Sequence, residues 1–106
     1  MLKANPQISN AFLTFKNEAP QHAQAWGIMV QSLSTANALD AKTSALAYLA
    51  VLAALNMESG VPFHTKTAKN TGATREEIIS AILLGLPAAG HVVTQVLPAA
   101  LVAYDE

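Results

Sequence analysis

The chain has 106 residues and a formal net charge of −1; 52% of it is hydrophobic and only 12% is charged. An ordinary soluble domain is about 25% charged, so this surface is expected to be covered by copies of itself or by lipid. Six basic residues against seven acidic ones leave no patch to neutralise phosphates, which excludes nucleic acid as a main partner.

There is no cysteine, so disulfides, thiolate zinc sites, iron–sulfur clusters and cysteine nucleophiles are all excluded. The length fits a single domain over residues 1–106, and the apolar content excludes intrinsic disorder. The first six residues, Met1 to Pro6, lack the apolar stretch of a secretory signal, which makes the cytoplasm the expected location. Alanine, the best helix former, makes up about a fifth of the chain, and alternating β-branched runs are missing. An all-α fold of five or six helices is expected.

The first helix is expected over residues 6–16, with Ile8, Phe12 and Phe15 on one face. The second follows Pro20, which suits a first turn, carries Ala23, Trp26, Met29, Val30 and Leu33, and ends near residues 34–37. Asp40 is a good N-cap for a third helix reaching about Met57, and residues 44–56 are apolar almost all round, as in a helix buried on several sides. Ser59 is expected to cap a fourth helix with Pro62 in its first turn, running to Asn70 and stopped by Gly72. Thr74-Arg75-Glu76-Glu77 reads as a capping box opening a fifth helix that runs to about Leu86. A last helix over residues 91–104, bent near Pro98, follows Pro87 and Gly90. Residues 78–104 carry no formal charge, yet Gly85, Pro87, Gly90, His91, Thr94, Gln95 and Pro98 interrupt them and no basic residues flank them. Burial in an oligomer is therefore expected in preference to a membrane span.

Among residues able to carry chemistry, His64 stands out. Gly60, Val61, His64, Ala68 and Thr71 share one helical face, so His64 points inward among small neighbours. There it is either a general acid/base or a packed histidine bonded to a backbone carbonyl. Glu58, just before that helix, either orients His64 or simply complements the helix dipole. Lys66 and Lys69 fall off the apolar face, either solvated or holding a substrate carboxylate at a subunit border. His91, at a helix start, reads as a partly exposed cap neighbour, and His22 is given no role. No histidine pair has metal-ligand spacing and no glycine-rich phosphate loop is present, so neither metal nor cofactor is expected. Phe12, Phe15, Trp26 and Tyr48 read as packing residues.

The order Leu39-Asp40-Ala41-Lys42-Thr43, an apolar helix, His64-Thr65-Lys66-Thr67-Ala68, then Gly72-Ala73-Thr74-Arg75-Glu76-Glu77-Ile78 resembles the carboxymuconolactone decarboxylase family, which includes the AhpD-like alkylhydroperoxidases. Gly85-Leu86-Pro87-Ala88 echoes the family's glycine–proline segment, and the resemblance runs from about Phe12 to Ala100. It implies an all-α fold around a helix hairpin, assembled as trimers or hexamers. The AhpD-like branch has a C-x-x-C pair whose second cysteine lies four residues before the histidine; Met57 and Gly60 stand at those places. That branch's proton-transferring glutamate is matched by Ala45. Peroxide reduction needs an attacking and a resolving thiol, and neither is here.

The decarboxylase branch does not depend on the cysteine pair. It removes carbon dioxide from a carboxylated muconolactone and needs a proton delivered to the carbon that loses it. His64 is the matched residue able to deliver that proton, and Lys66, Lys69 and Arg75 are the nearby cations, Arg75 in an exposed first turn. Three readings follow from the resemblance. They are a cysteine-independent lyase acting on a small-molecule ligand, a non-catalytic oligomeric binding or structural member, and an AhpD-type peroxidase.

Overall fold

The structure, a computed structural model, describes residues 9–106 and divides into two compact units between Leu39 and Asp40. Among the described residues it is all-helical, with no strand.

The first unit is a helical hairpin, α1 (Asn10–Glu18) and α2 (Pro20–Ala36). Ser9 caps α1, its Oγ accepting from the Phe12 N–H at 3.2 Å. The expected start at residue 6, with Ile8 on the face, lies outside the described residues. Pro20 opens α2 where its missing N–H costs nothing. Phe12 and Phe15 present their rings edgewise to Trp26, at 5.3 and 6.4 Å between centroids. No residue of either helix is buried.

The second unit holds α3 (Ala41–Ala54), α4 (Val61–Asn70), α5 (Arg75–Leu83), the single turn α6 (Leu86–Ala89) and α7 (Leu97–Asp105). Asp40 caps α3, Oδ1 accepting from the Thr43 N–H at 2.7 Å. The helix stops at Ala54, short of the expected Met57. Asn56 takes a left-handed backbone, φ 54°, and the amides of Asn56 and Met57 return to the Ala53 and Leu52 carbonyls. That pair of bonds is a Schellman ending, in which asparagine tolerates the φ that most side chains resist. Gly72 does the same for α4 at φ 100°, its amide and that of Ala73 returning to Lys69 and Ala68.

Ser59 does not cap α4. A 3-10 turn, Glu58–Gly60, leads into the helix instead. Its carbonyl network takes the Gly60 and Val61 amides, and Pro62 has none to offer, so little is left for a serine oxygen. The capping box at Thr74 is present, with Thr74 Oγ1 accepting from Glu77 and Glu77 Oε1 from Thr74. α5 ends at Leu83, not Leu86, because Pro87 carried in the same helix would clash with the Leu83 carbonyl. The expected last helix is split. Residues Gly90–Val96 form a 3-10 stretch, and Pro98 sits in the first turn of α7, where it starts a helix and bends nothing. The three-residue period of a 3-10 helix eclipses positions i and i+3, which is how Val93 and Val96 both reach the core.

The core is a single cluster in which Leu49 and Leu52 of α3, Val61 and Ala68 of α4, and Ile78 and Ile82 of α5 meet Val93, Val96 and Ala100. α3 packs on α4 and α5, and α4 on α7. The expectation that α3 is covered on several sides is met on one side of this chain only. Tyr48, Val51 and Leu55 remain exposed on the other. The run Arg75–Asp105 is long and apolar enough by composition to cross a membrane. Gly90, at φ 81°, and the turn before Leu86 break it into pieces, and α5 packs against α7.

Thr65 is fully buried and its hydroxyl has no hydrogen-bond partner among the described residues. Burying an unpaired hydroxyl costs about 1–3 kcal/mol, so Thr65→Val, which keeps the shape, is expected to stabilise the fold by about 1–2 kcal/mol. A urea midpoint that rises with the slope unchanged checks it.

Candidate functional site

The buried row of α4 runs through Val61, Thr65 and Ala68, and it sets where His64 points. His64 lies at the edge of that row, half-buried, with aromatic neighbours in addition to the small Gly60 that its spacing suggests. The Tyr48 ring stacks on it, tilted, at 4.4 Å between centroids, and Phe63 meets it edgewise at 5.2 Å. Gly60 lies beside it: a side-chain carbon there would sit in ordinary contact, 3.9 Å from the His64 ring and 3.6 Å from Leu52. Neither ring nitrogen has a hydrogen-bond partner among the described residues. The packed-histidine alternative, bonded to a backbone carbonyl, therefore has no such bond here.

Burial among these rings disfavours the imidazolium and pushes His64 below the ordinary histidine range. In the unfolded chain it titrates near the ordinary value of about 6.5, so below that pH the unfolded chain takes up the proton first. Stability is then complete above about pH 6.5 and falls as the pH drops toward the folded value. The thermal midpoint is expected to fall between pH 7.5 and 5.5, and His64→Gln is expected to flatten that slope. An unchanged slope in the variant would assign it to another group.

Glu58 is exposed and makes no hydrogen bond or ion pair among the described residues, so it is not joined to His64 within this chain. Lys66 and Lys69 are not simply solvated. Lys69 donates to the Tyr104 carbonyl at 2.6 Å and lies over the Tyr104 ring, while Lys66 faces Glu106 at 3.8 Å. Both ammonium groups meet the C-terminal end of α7, where cations complement the helix dipole. Arg75 grips Asp105 with two bonds, at 3.0 and 3.1 Å, and the Tyr104 hydroxyl donates to the Ala73 carbonyl. The cations nearest His64 in sequence thus fasten the C-terminus. Sequence spacing gave no sign of this, because the partners lie 30–40 residues away.

A separate groove of about 970 Å³ opens between α3 and α5, with Leu46, Ala47, Ala81 and Leu84 in its lining and Lys42 bonded to Glu77 at 2.8 Å. His64 does not line it. His91 is exposed, its carbonyl accepting from Thr94, and His22 is exposed on α2. Among the described residues no group of histidines and carboxylates is placed to hold a metal ion.

No curated protein and no solved structure matches the chain. The sequence pattern of the carboxymuconolactone decarboxylase family matches residues 20–101, spanning α2 to α7 and including His64. With a match over most of its length, an all-helical body and the histidine presented on α4, the chain belongs to the carboxymuconolactone decarboxylase family.

Proposed function

We propose that the protein is a cysteine-independent lyase that decarboxylates a small, carboxylated lactone-like acid, with His64 as the general acid/base. The single observation carrying this reading is the His64 ring, half-buried between Tyr48 and Phe63, with neither nitrogen hydrogen-bonded among the described residues. A group held in place by packing alone keeps its proton-transfer positions for a ligand. In the empty site the imidazole is neutral near pH 7. A bound carboxylate alongside favours the charged form and draws a proton onto it. The bond to the carboxylate then breaks, and its electron pair passes into the conjugated lactone. Carbon dioxide leaves, and the imidazolium gives its proton to the ring carbon, α to the lactone carbonyl, onto which the electron pair has moved. The apolar face around His64 favours loss of the anion by removing water from it. The working form is a homo-oligomer, a trimer or hexamer, in the cytoplasm, with no metal or cofactor.

A second reading is favoured by one specific feature. Among the described residues, the cations nearest His64 in sequence, Lys66, Lys69 and Arg75, are all engaged at the end of α7 and not held ready for a dicarboxylate, as a non-catalytic binding member would allow. Glu58 and Lys66 remain the residues nearest in sequence for orienting a ligand, Lys66 by leaving its long contact with Glu106. Thiol-dependent peroxidase activity finds no support, since Met57 and Gly60 hold the places of the two cysteines.

The test is carbon dioxide release from a panel of carboxylated muconolactones by the whole protein, alongside peroxide consumption with dithiols. Release without peroxide turnover is the expected result. No release from any of the panel would favour the non-catalytic reading.

A further inference from the structure

α2 has 17 residues without one Asp, Glu, Lys or Arg, and none is buried. Trp26 is occupied by Phe12 and Phe15 of α1. A different row, His22, Ala25, Met29 and Leu33, follows i, i+3, i+7, i+11 spacing and has nothing against it within the hairpin. Met29 is 50% exposed and Leu33 62%. The unit carrying it ends at Leu39, has no cysteine, and holds no metal cluster among its described residues. Units below about 40 residues need a disulfide, a metal or association to stay folded. Association is what remains.

The second unit offers a matching surface. Tyr48, Val51 and Leu55 repeat the i, i+3, i+7 spacing along α3, all exposed, with Phe63 and His64 beside them. Past Leu55 stands Glu58, exposed and unpaired. His22 is the single titratable side chain on α2. If the two rows run antiparallel, Ala25 falls opposite Val51, small against branched, and Met29 opposite Tyr48. His22 then arrives at the Leu55 end, beside the Glu58 carboxylate, to which an imidazole N–H can donate. Two helices with such rows interdigitate at a shallow crossing angle of about 20°.

The geometry points to a composite site: α2 of a second copy lies antiparallel along the Tyr48–Val51–Leu55 row of α3, pairs its His22 with Glu58 and closes the site over His64. This rests on the reading of His64 as the working group only for its consequence in turnover, not for the contact itself. Among the described residues the site is incomplete, because Glu58 has no partner and Tyr48, which packs on His64, is itself 47% exposed. The second copy supplies the partner for the acid and excludes water. His22 acts as a positioning residue through Glu58.

Because the chain has no cysteine, disulfide trapping reads the contact directly. One full-length chain carries His22→Cys and another Glu58→Cys; they are mixed, oxidised and run without reducing agent. A covalent dimer formed only in the mixture is expected, since a disulfide requires Cβ atoms within about 4.5 Å. His22→Cys mixed with Ser80→Cys, which lies in the α3–α5 groove, should give none. A monomeric cross-link in the double variant with none in the mixture would place the hairpin on its own body and overturn the proposal. No cross-link in either would overturn it too. Leu33→Asp is expected to lower the sedimenting mass at micromolar concentration, and an unchanged mass would count against it. A trapped dimer from chains of an enzyme that releases no carbon dioxide would sink the lyase reading and leave this contact standing.

Discussion

Replacing His64 by glutamine is expected to lower carbon dioxide release by about 10²–10⁴-fold, the range that a positioned general acid/base contributes. Glutamine fills much of the same space between Tyr48 and Phe63 and keeps a polar end, but it cannot take up and return a proton. The fold is expected to survive, because His64 makes no hydrogen bond for the variant to break and the buried row of α4 runs through Val61, Thr65 and Ala68. A thermal midpoint near pH 7.5 close to that of the unaltered protein is the control. The rate constant should fall much more than the Michaelis constant rises, since the lost step is proton transfer and not substrate binding. A variant that keeps its turnover would remove His64 from the chemistry.

Leu49→Ala is expected to cost about 2–5 kcal/mol, the range for deleting a buried leucine side chain and leaving a cavity. Leu49 is fully buried on the face of α3 that packs against α4 and α5, in the cluster holding Val61, Ile78 and Ile82. Several of the neighbours are alanines, whose short side chains cannot swing in to refill the space. For a chain of this size each kcal/mol moves the thermal midpoint by about 4–8 °C, so a fall of at least 8 °C is expected. A smaller fall would mean that the helices close up around the gap. The same destabilisation should reduce turnover only where the variant is partly unfolded, which separates it from the His64 variant.

How much of this was legible in the sequence depends on the range of the forces involved. Asp40, Pro20, Gly72 and the Thr74–Glu77 box act within one helical turn, and each stands where its residue type places it. The Asn56 ending differs from the expected end near Met57 because only a left-handed backbone reveals it. Ser59 was over-read, since a 3-10 turn had already satisfied the amides it would have served. Pro98 was taken for a bend because the seven-residue 3-10 stretch before it has no sequence signature beyond its valine spacing.

The candidate site was legible only in part. The position of His64 on its helix followed from the motif, but its aromatic neighbour Tyr48 did not: it comes from α3, and its packing on the imidazole is a consequence of how α3 and α4 pack together. The lysines looked solvated because nothing within a helical turn contacts them, while the C-terminal end of α7 returns to meet them both.

The sequence by itself determined the helical class, the caps at Asp40 and Thr74, the family and the absence of thiol chemistry, because each is fixed by residue type over a few positions. Only the tertiary structure decided which side of α3 is covered, which cations are spent on α7, and that the Thr65 hydroxyl is buried unpaired. Those outcomes depend on helices distant in the chain meeting at one place, where burial and charge are shared among residues that no local spacing relates.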